Sequence, residues 1–143
     1  GMEGSADDLR IYDLSDSSVA TYVSAGGTDW VNTSDERIKK DITSMENRLD
    51  DLLNIDVRRF KWKRNDKDAQ GFIAQELVKY APEAVDVGDD ELVTEEEAEA
   101  SETLKEGELK NPWGISKVAL IPMMIKSIQE LSAKVTTLEN ATN

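Results

Sequence analysis

The side chains that could carry chemistry in this sequence are few in kind, because its 143 residues include neither Cys nor His. This excludes thiol nucleophiles, disulfides, zinc sites built from Cys and His, and triads that depend on His. A Ser or Thr hydroxyl remains as a nucleophile, with a carboxylate or a neutral lysine as its base. Ser34 and Lys39 are the first candidates, because five residues of separation can fold back in a turn and bring amine and hydroxyl together.

The same residues also have a simpler interpretation. Ser34-Asp35 is a common sequence for a helix cap or a turn, and Lys39-Lys40 is ordinary surface charge. Spacing alone does not choose between a Ser/Lys pair and a capped turn, so both remain open on composition.

Short strands and helices must position these residues. Residues 9–31 read as strands that are too short to make a core alone, which indicates the end of a larger β-rich body. A capping box at Thr43-Ser44-Met45-Glu46 predicts a helix to about Asn54. Alternation over Val57–Lys63 predicts a half-buried strand with Phe60 and Trp62 on one face. A second helix is predicted over Gly71–Tyr80, so the fold class is α+β.

The clearest periodicity belongs to a last helix over about 118–140. Its apolar residues follow a heptad seam, which favours self-association over packing on the helix's own domain. A heptad with Ile or Val at one seam position and Leu at the other is typical of a two-stranded coiled coil. The periodicity alone therefore does not establish a trimer. Pro122 either lies in the first turn or kinks the helix. The seam comprises Ile121, Met124, Ile128, Leu131, Val135 and Leu138.

Charge is distributed unevenly along the chain. The net charge is −13, and residues 86–108 alone hold eleven carboxylates against Lys105. We expect this acidic insertion, about 86–110, to be a solvated loop or a frayed helix. A divalent-cation site is the less favoured alternative, because the calcium-loop pattern is absent. The acidic balance argues against nucleic acid and anionic membranes as partners, and no apolar run is long enough to span a bilayer.

Several motifs in a fixed order resemble one known family. They are Ser34 to Ile42 (SDERIKKDI), Phe60-Lys61-Trp62-Lys63, Gly71 to Leu77 (GFIAQEL), Pro82-Glu83-Ala84-Val85 and the closing helix from Ile121 to Leu131. Together they resemble the C-terminal self-cleaving intramolecular chaperone of endosialidases and other phage tail spikes and fibres, a domain also related to one in myelin regulatory factor. The resemblance extends from Ser34 to about Leu138.

The resemblance implies a homotrimer that aligns three chains for folding of an upstream fibre and then releases itself by autoproteolysis. It implies that Ser34 is the nucleophile, Lys39 the general base and Thr33–Ser34 the scissile bond. Asp35, Gln75 and Glu76 lie in the matching motifs as possible supporting residues.

The expected organisation is therefore the end of a fibre in residues 1–33 and a chaperone domain in residues 34–143, closed by a trimeric coiled coil. No cofactor, metal, nucleic acid or membrane is implied. The expected location is the host bacterial cytoplasm during virion assembly, and complete cleavage would leave the domain absent from the mature virion. Two alternatives stay open: a trimerisation foot that does not cut, and a receptor-binding tip using the basic face around Arg59 and Lys61.

Overall fold

The computed structural model of the protein describes residues 30–143, and upstream of them the backbone of residues 9–12 and 19–23. The chain divides into two compact units, residues 1–44 and 45–143. The predicted α+β class is confirmed, with short strands and helices followed by one long C-terminal helix.

The first unit contains a three-stranded antiparallel sheet in the order β1-β2-β3. Its strands are β1 (Leu9–Tyr12), β2 (Val19–Val23) and β3 (Val31–Asn32). Leu9 pairs with Val23, and Tyr22 pairs with Val31. A single 3-10 turn, Glu36–Ile38, follows the sheet. The candidate nucleophile, Ser34, lies between β3 and this turn.

The second unit begins with a short helix and a hairpin. Helix α1 (Leu49–Leu53) starts later than the predicted capping box at Thr43, and its N-cap residue Arg48 makes no side-chain capping bond. The Leu49 amide instead donates to the Glu130 carboxylate of the last helix, at 3.2 Å. A tertiary contact therefore fixes the start of this helix.

The basic hairpin, residues 58–71, consists of antiparallel strands β4 (Arg58–Lys61) and β5 (Asp68–Gly71). The Phe60 and Trp62 rings meet edge to face with centroids 5.2 Å apart, which agrees with the predicted shared face. Helix α2 follows as Ala74–Leu77 and is shorter than predicted, because Gly71 belongs to strand β5.

The core of the second unit lies where short helical turns meet the last helix. The 3-10 turns Pro82–Ala84 and Val118–Leu120 approach closely because small side chains separate them, and the Ser116 amide donates to the Ala84 carbonyl. Half-buried apolar residues, including Phe72 and Ile115, surround this cluster. The fully buried members are Leu77, Ala81, Ala84, Leu120 and Met123.

The acidic insertion is an ordered arm, which differs from the predicted solvated loop or frayed helix. Strands β6 (Val85–Asp86) and β7 (Gly114–Ile115) pair at its base, and Leu92 bridges Leu109 further out. Its tip carries α3 (Glu95–Glu99), which a Thr94/Glu97 capping box begins. At the neck, a Cβ on Gly88 would lie 1.9 Å from the Asn111 carbonyl oxygen, so only glycine allows this approach. We call residues 86–110 the acidic arm.

The last helix, α4 (Ile121–Ala141), holds Pro122 in its first turn, where a missing amide costs no intrahelical bond. Of the two positions that the sequence left open, Pro122 therefore takes the first turn and not a kink within the helix. One face of the helix packs on its own domain, where Met123 and Ser127 are fully buried. All residues from Leu131 onward are exposed. The helix is therefore supported by its own domain only along its first half.

Candidate active site

The Ser34–Lys39 pair is formed by a tight local turn. Lys39 Nζ donates to Ser34 Oγ at 2.6 Å and lies 3.3 Å from the Ser34 carbonyl oxygen. The 3-10 turn between them reverses the chain, and the Lys39 amide closes it on the Glu36 carbonyl at 3.0 Å. The two predicted residues therefore lie within hydrogen-bond distance, as a nucleophile and its base require.

Asp35 shapes this turn through Arg37. Its Oδ1 accepts from the Arg37 backbone amide at 2.8 Å and from Arg37 Nε at 2.9 Å, while Oδ2 accepts from the guanidinium at 2.6 Å. The Arg37 side chain, and then its amide, hold the pKa of Asp35 below its usual value. A carboxylate that already accepts three hydrogen bonds is a poor proton acceptor. Asp35 is therefore placed to hold the turn in shape.

Arg37 is a residue that the sequence reasoning missed. It stands inside the S-D-x-R-x-K motif, and its opposite charge two residues after Asp35 was the available signal. The fork it makes with Asp35 is exposed, so its role is to set geometry more than to add stability.

The site is open to solvent in the single chain, since Ser34 and Lys39 are both exposed. In the structure, Lys39 Nζ donates to the Ser34 hydroxyl. For catalysis the direction must reverse, with a neutral amine accepting the hydroxyl proton at the same distance. The geometry thus provides the contact between the two side chains.

Gln75 and Glu76 lie in the second unit, on helix α2. Glu76 forms a two-bond ion pair with Arg58, with Nε to Oε2 at 2.9 Å and NH2 to Oε1 at 3.1 Å. This pairing is the largest cause of the lowered pKa of Glu76. Glu76 therefore joins strand β4 to helix α2, while Gln75 is exposed.

The six predicted seam residues are all at least 46% exposed on α4, from Val135 at 46% to Leu138 at 68%. They lie beside the buried stripe of Met123 and Ser127, so the helix presents a second apolar face that its own domain does not cover. Seven apolar residues also line a groove of about 330 Å³ that shares two seam residues. They are Leu52, Ile55, Val57, Phe72, Leu120, Met124 and Ile128.

The described residues contain neither a metal-binding cluster nor a membrane-spanning helix. Among them, no group of three or more Asp and Glu side chains is arranged to hold a metal ion. Within the same part of the chain, no helix is long and apolar enough to cross a membrane.

Comparison with known proteins connects this geometry to a family. Residues 34–86 match the model of a peptidase family described as "chaperone of endosialidase". This match confirms, over residues 34–86, the resemblance inferred from the motifs. The match begins at Ser34, so it includes the Ser34–Lys39 turn, the basic hairpin and helix α2.

One solved structure, described as "a novel intramolecular chaperon", has the same fold. The TM-score is 0.50 at 22% identity, and the match covers 71% of this chain and 99% of that chain. At this identity the likeness concerns the fold. None of the curated proteins compared with the chain matches it.

Proposed function

We propose that residues 34–143 are an intramolecular chaperone that brings three copies of the chain together and then cuts the Thr33–Ser34 bond. The upstream residues are, in this proposal, the end of a phage tail fibre or spike. The observation that carries it is the 2.6 Å contact between Lys39 Nζ and Ser34 Oγ at the start of the family match.

The cleavage chemistry needs only this chain and water. Neutral Lys39 takes the proton of the Ser34 hydroxyl as Oγ attacks the Thr33 carbonyl carbon. The C–N bond then breaks, and the Ser34 nitrogen receives the proton from the lysine. The product is an ester of the Thr33 acyl group on Ser34 Oγ. Water opens this ester, which leaves a carboxylate on Thr33 and restores the serine hydroxyl.

The chaperone role follows from local concentration. Joining three chains through their last helices makes contacts between the upstream segments effectively intramolecular. This helps the slow non-local β pairing of a fibre. The cut then makes assembly irreversible. The proposal requires no cofactor and no nucleic acid or membrane partner, and places the reaction in the host bacterial cytoplasm during virion assembly.

The exposed seam of α4 supports self-association, and the family resemblance supports three copies. Six apolar residues at heptad spacing stay at least 46% exposed on their own domain, and a narrow apolar stripe on a helix gains most of its stability when another helix covers it. The part of α4 beyond Leu131 depends most on such partners, since it is exposed on all sides.

Intact-mass analysis of freshly purified protein tests the cut. The wild-type protein should yield two products, residues 1–33 and 34–143, and Ser34→Ala should remain a single chain. Ser44→Ala is the matched control, because it removes a hydroxyl outside the turn and should cleave normally. A Ser34→Ala protein that is still cut at Thr33–Ser34 would refute the role of Ser34.

Light scattering tests the trimer. Leu131→Asp should reduce the measured mass from three chains to one, because carboxylates in one buried layer repel and lose their hydration. Ser132→Asp adds the same charge beside the seam and should leave the trimer intact. A wild-type monomer or dimer at micromolar concentration contradicts this part of the proposal.

The exposure of Ser34 and Lys39 favours one second candidate, a trimerisation foot that does not cut. It would show the same three-chain mass, but its intact mass would be that of the uncut chain at every pH. The two measurements together therefore separate the candidates.

A further inference from the structure

The basic hairpin concentrates positive charge on a strongly acidic chain. Residues 58–71 contain six basic side chains against Asp66 and Asp68. Of the basic side chains that the structure describes in this hairpin, only Arg58 and Lys61 form ion pairs. Arg64 lies 5.1 Å from the centre of the Trp62 ring, and that indole is 46% exposed. The hairpin is therefore a cationic surface with an exposed aromatic group.

The acidic arm has the opposite character. Lys110 pairs with Glu91 and Glu97, while the other nine carboxylates of residues 86–108 have no ion pair within the described part of the chain. About half of the Leu92, Leu104 and Leu109 side chains is also exposed. The arm is therefore an anionic surface with exposed apolar groups.

The arm presents this surface on a built framework. Backbone bonds join Asp89 to Asn111 at 3.0 Å, Lys110 to Glu91 at 2.8 Å and Val93 to Glu108 at 2.8 Å. A hydrogen-bonded arm loses less conformational freedom on docking than a loop does. The acidic arm therefore has its charge and its folded shape already in the single chain.

We infer that the acidic arm of one copy docks on the basic hairpin of a neighbouring copy. Among the described residues of one chain, no ion pair joins hairpin to arm, although both belong to the unit 45–143. The two surfaces are complementary in charge, and each adds exposed apolar groups. A second copy suits the hairpin because every copy carries both the basic hairpin and the acidic arm, so the complementary charge is present in each neighbour.

This inference rests on the proposed function, because the oligomer supplies the neighbouring copy at high local concentration. It goes beyond the helical seam, since it adds a second, electrostatic contact between copies. The contact would fix which neighbour each arm reaches and hence the rotational order of the three domains around the last helices.

Disulfide trapping can test the contact cleanly, because the chain has no native cysteine. Lys63→Cys and Glu96→Cys place one thiol on the hairpin and one on the arm, both at exposed positions. The two single variants are refolded together, oxidised and run on a non-reducing gel. We expect a band of two linked chains that falls severalfold in about 1 M NaCl, where the Debye length is about 3 Å.

Matched controls define the result. Lys79→Cys, an exposed lysine outside both segments, should give little cross-linking with Glu96→Cys. Each single variant oxidised alone should give little as well. Light scattering of the same mixtures reports the oligomer independently of the trap.

Three outcomes would overturn the inference. A trimer by light scattering with no Lys63→Cys to Glu96→Cys cross-link rejects this contact and leaves the proposed function standing. If a double variant carrying both Lys63→Cys and Glu96→Cys cross-links only within one chain, the arm docks on its own hairpin. Binding of a polyglutamate peptide to the hairpin, with no cross-link between copies, assigns that surface to a foreign acidic partner. A monomeric wild-type protein, in contrast, removes the oligomer itself.

Discussion

Two family motifs in this chain are built in opposite ways. Around Ser34 the hydrogen bonds that shape the turn join residues at most five positions apart. Around Glu76 the contacts are distant in sequence, since Arg58 lies eighteen positions away and Leu77 packs in a core with Met123. The geometry of the candidate site and the stability of the second unit are therefore separable. The turn can be altered with little cost to the fold, whereas the second unit cannot.

The most severe change to the turn is Lys39→Arg. A guanidinium keeps its proton at usable pH and cannot accept one from Ser34, so cleavage should be abolished. Lys40→Arg, one position on, is the control and should cut at the normal rate. The free energy of unfolding should be unchanged in both variants, as measured by urea denaturation. Full cleavage in Lys39→Arg would remove lysine from the mechanism and return the role of base to a carboxylate.

The reverse case alters stability and leaves the turn alone. Leu77 is 2% exposed, and Leu77→Ala should lower the free energy of unfolding by about 2–5 kcal/mol, because it loses apolar burial and leaves a cavity. Leu53→Ala provides the control, as Leu53 is 73% exposed and its loss should cost under about 1 kcal/mol. Equal losses in the two variants would show that the core does not lie around Leu77.

The smallest expected effect concerns the acidic arm. Lys110, followed by the Thr94 amide, lowers the pKa of Glu97 from 4.5 to about 2. Since the folded state holds this proton less tightly, the contribution of Glu97 to stability is present above about pH 4.5. It is lost as the pH falls toward 2.

Carboxyl NMR titration measures that pKa directly. In Lys110→Gln the pKa of Glu97 should rise, because its main partner is gone, while the bonds that the Thr94 amide and hydroxyl donate to its carboxylate remain. An unchanged Glu97 titration in this variant would mean that Lys110 does not reach it in solution.

Local features of this fold could be predicted from the sequence. The short strands, the shared face of Phe60 and Trp62, the last helix and the reach of Lys39 to Ser34 all depend on patterns within a few residues. The family motifs added the roles of nucleophile and base, which spacing alone left open beside a capped turn.

The features that sequence reasoning missed depend on distant contacts. Helix α1 begins at Leu49 because Glu130, eighty-one positions away, accepts its amide bond. The acidic segment becomes an arm because residues 89–93 bond to residues 108–111, a pairing that charge density alone argues against. Arg58 was missed as the partner of Glu76 because the two residues lie eighteen positions apart in the sequence.

The local construction of the Ser34–Lys39 turn has a consequence for timing. A ribosome releases residues 34–39 well before residues 45–143, and the turn needs nothing from later sequence to form its hydrogen bonds. The contact can therefore exist on a nascent chain that has not yet made α4. If that contact alone triggered the reaction, the upstream segment would be severed during translation. Under the proposed function, cleavage must therefore wait for a later event, and the completion and pairing of the last helix is the event that the proposal supplies.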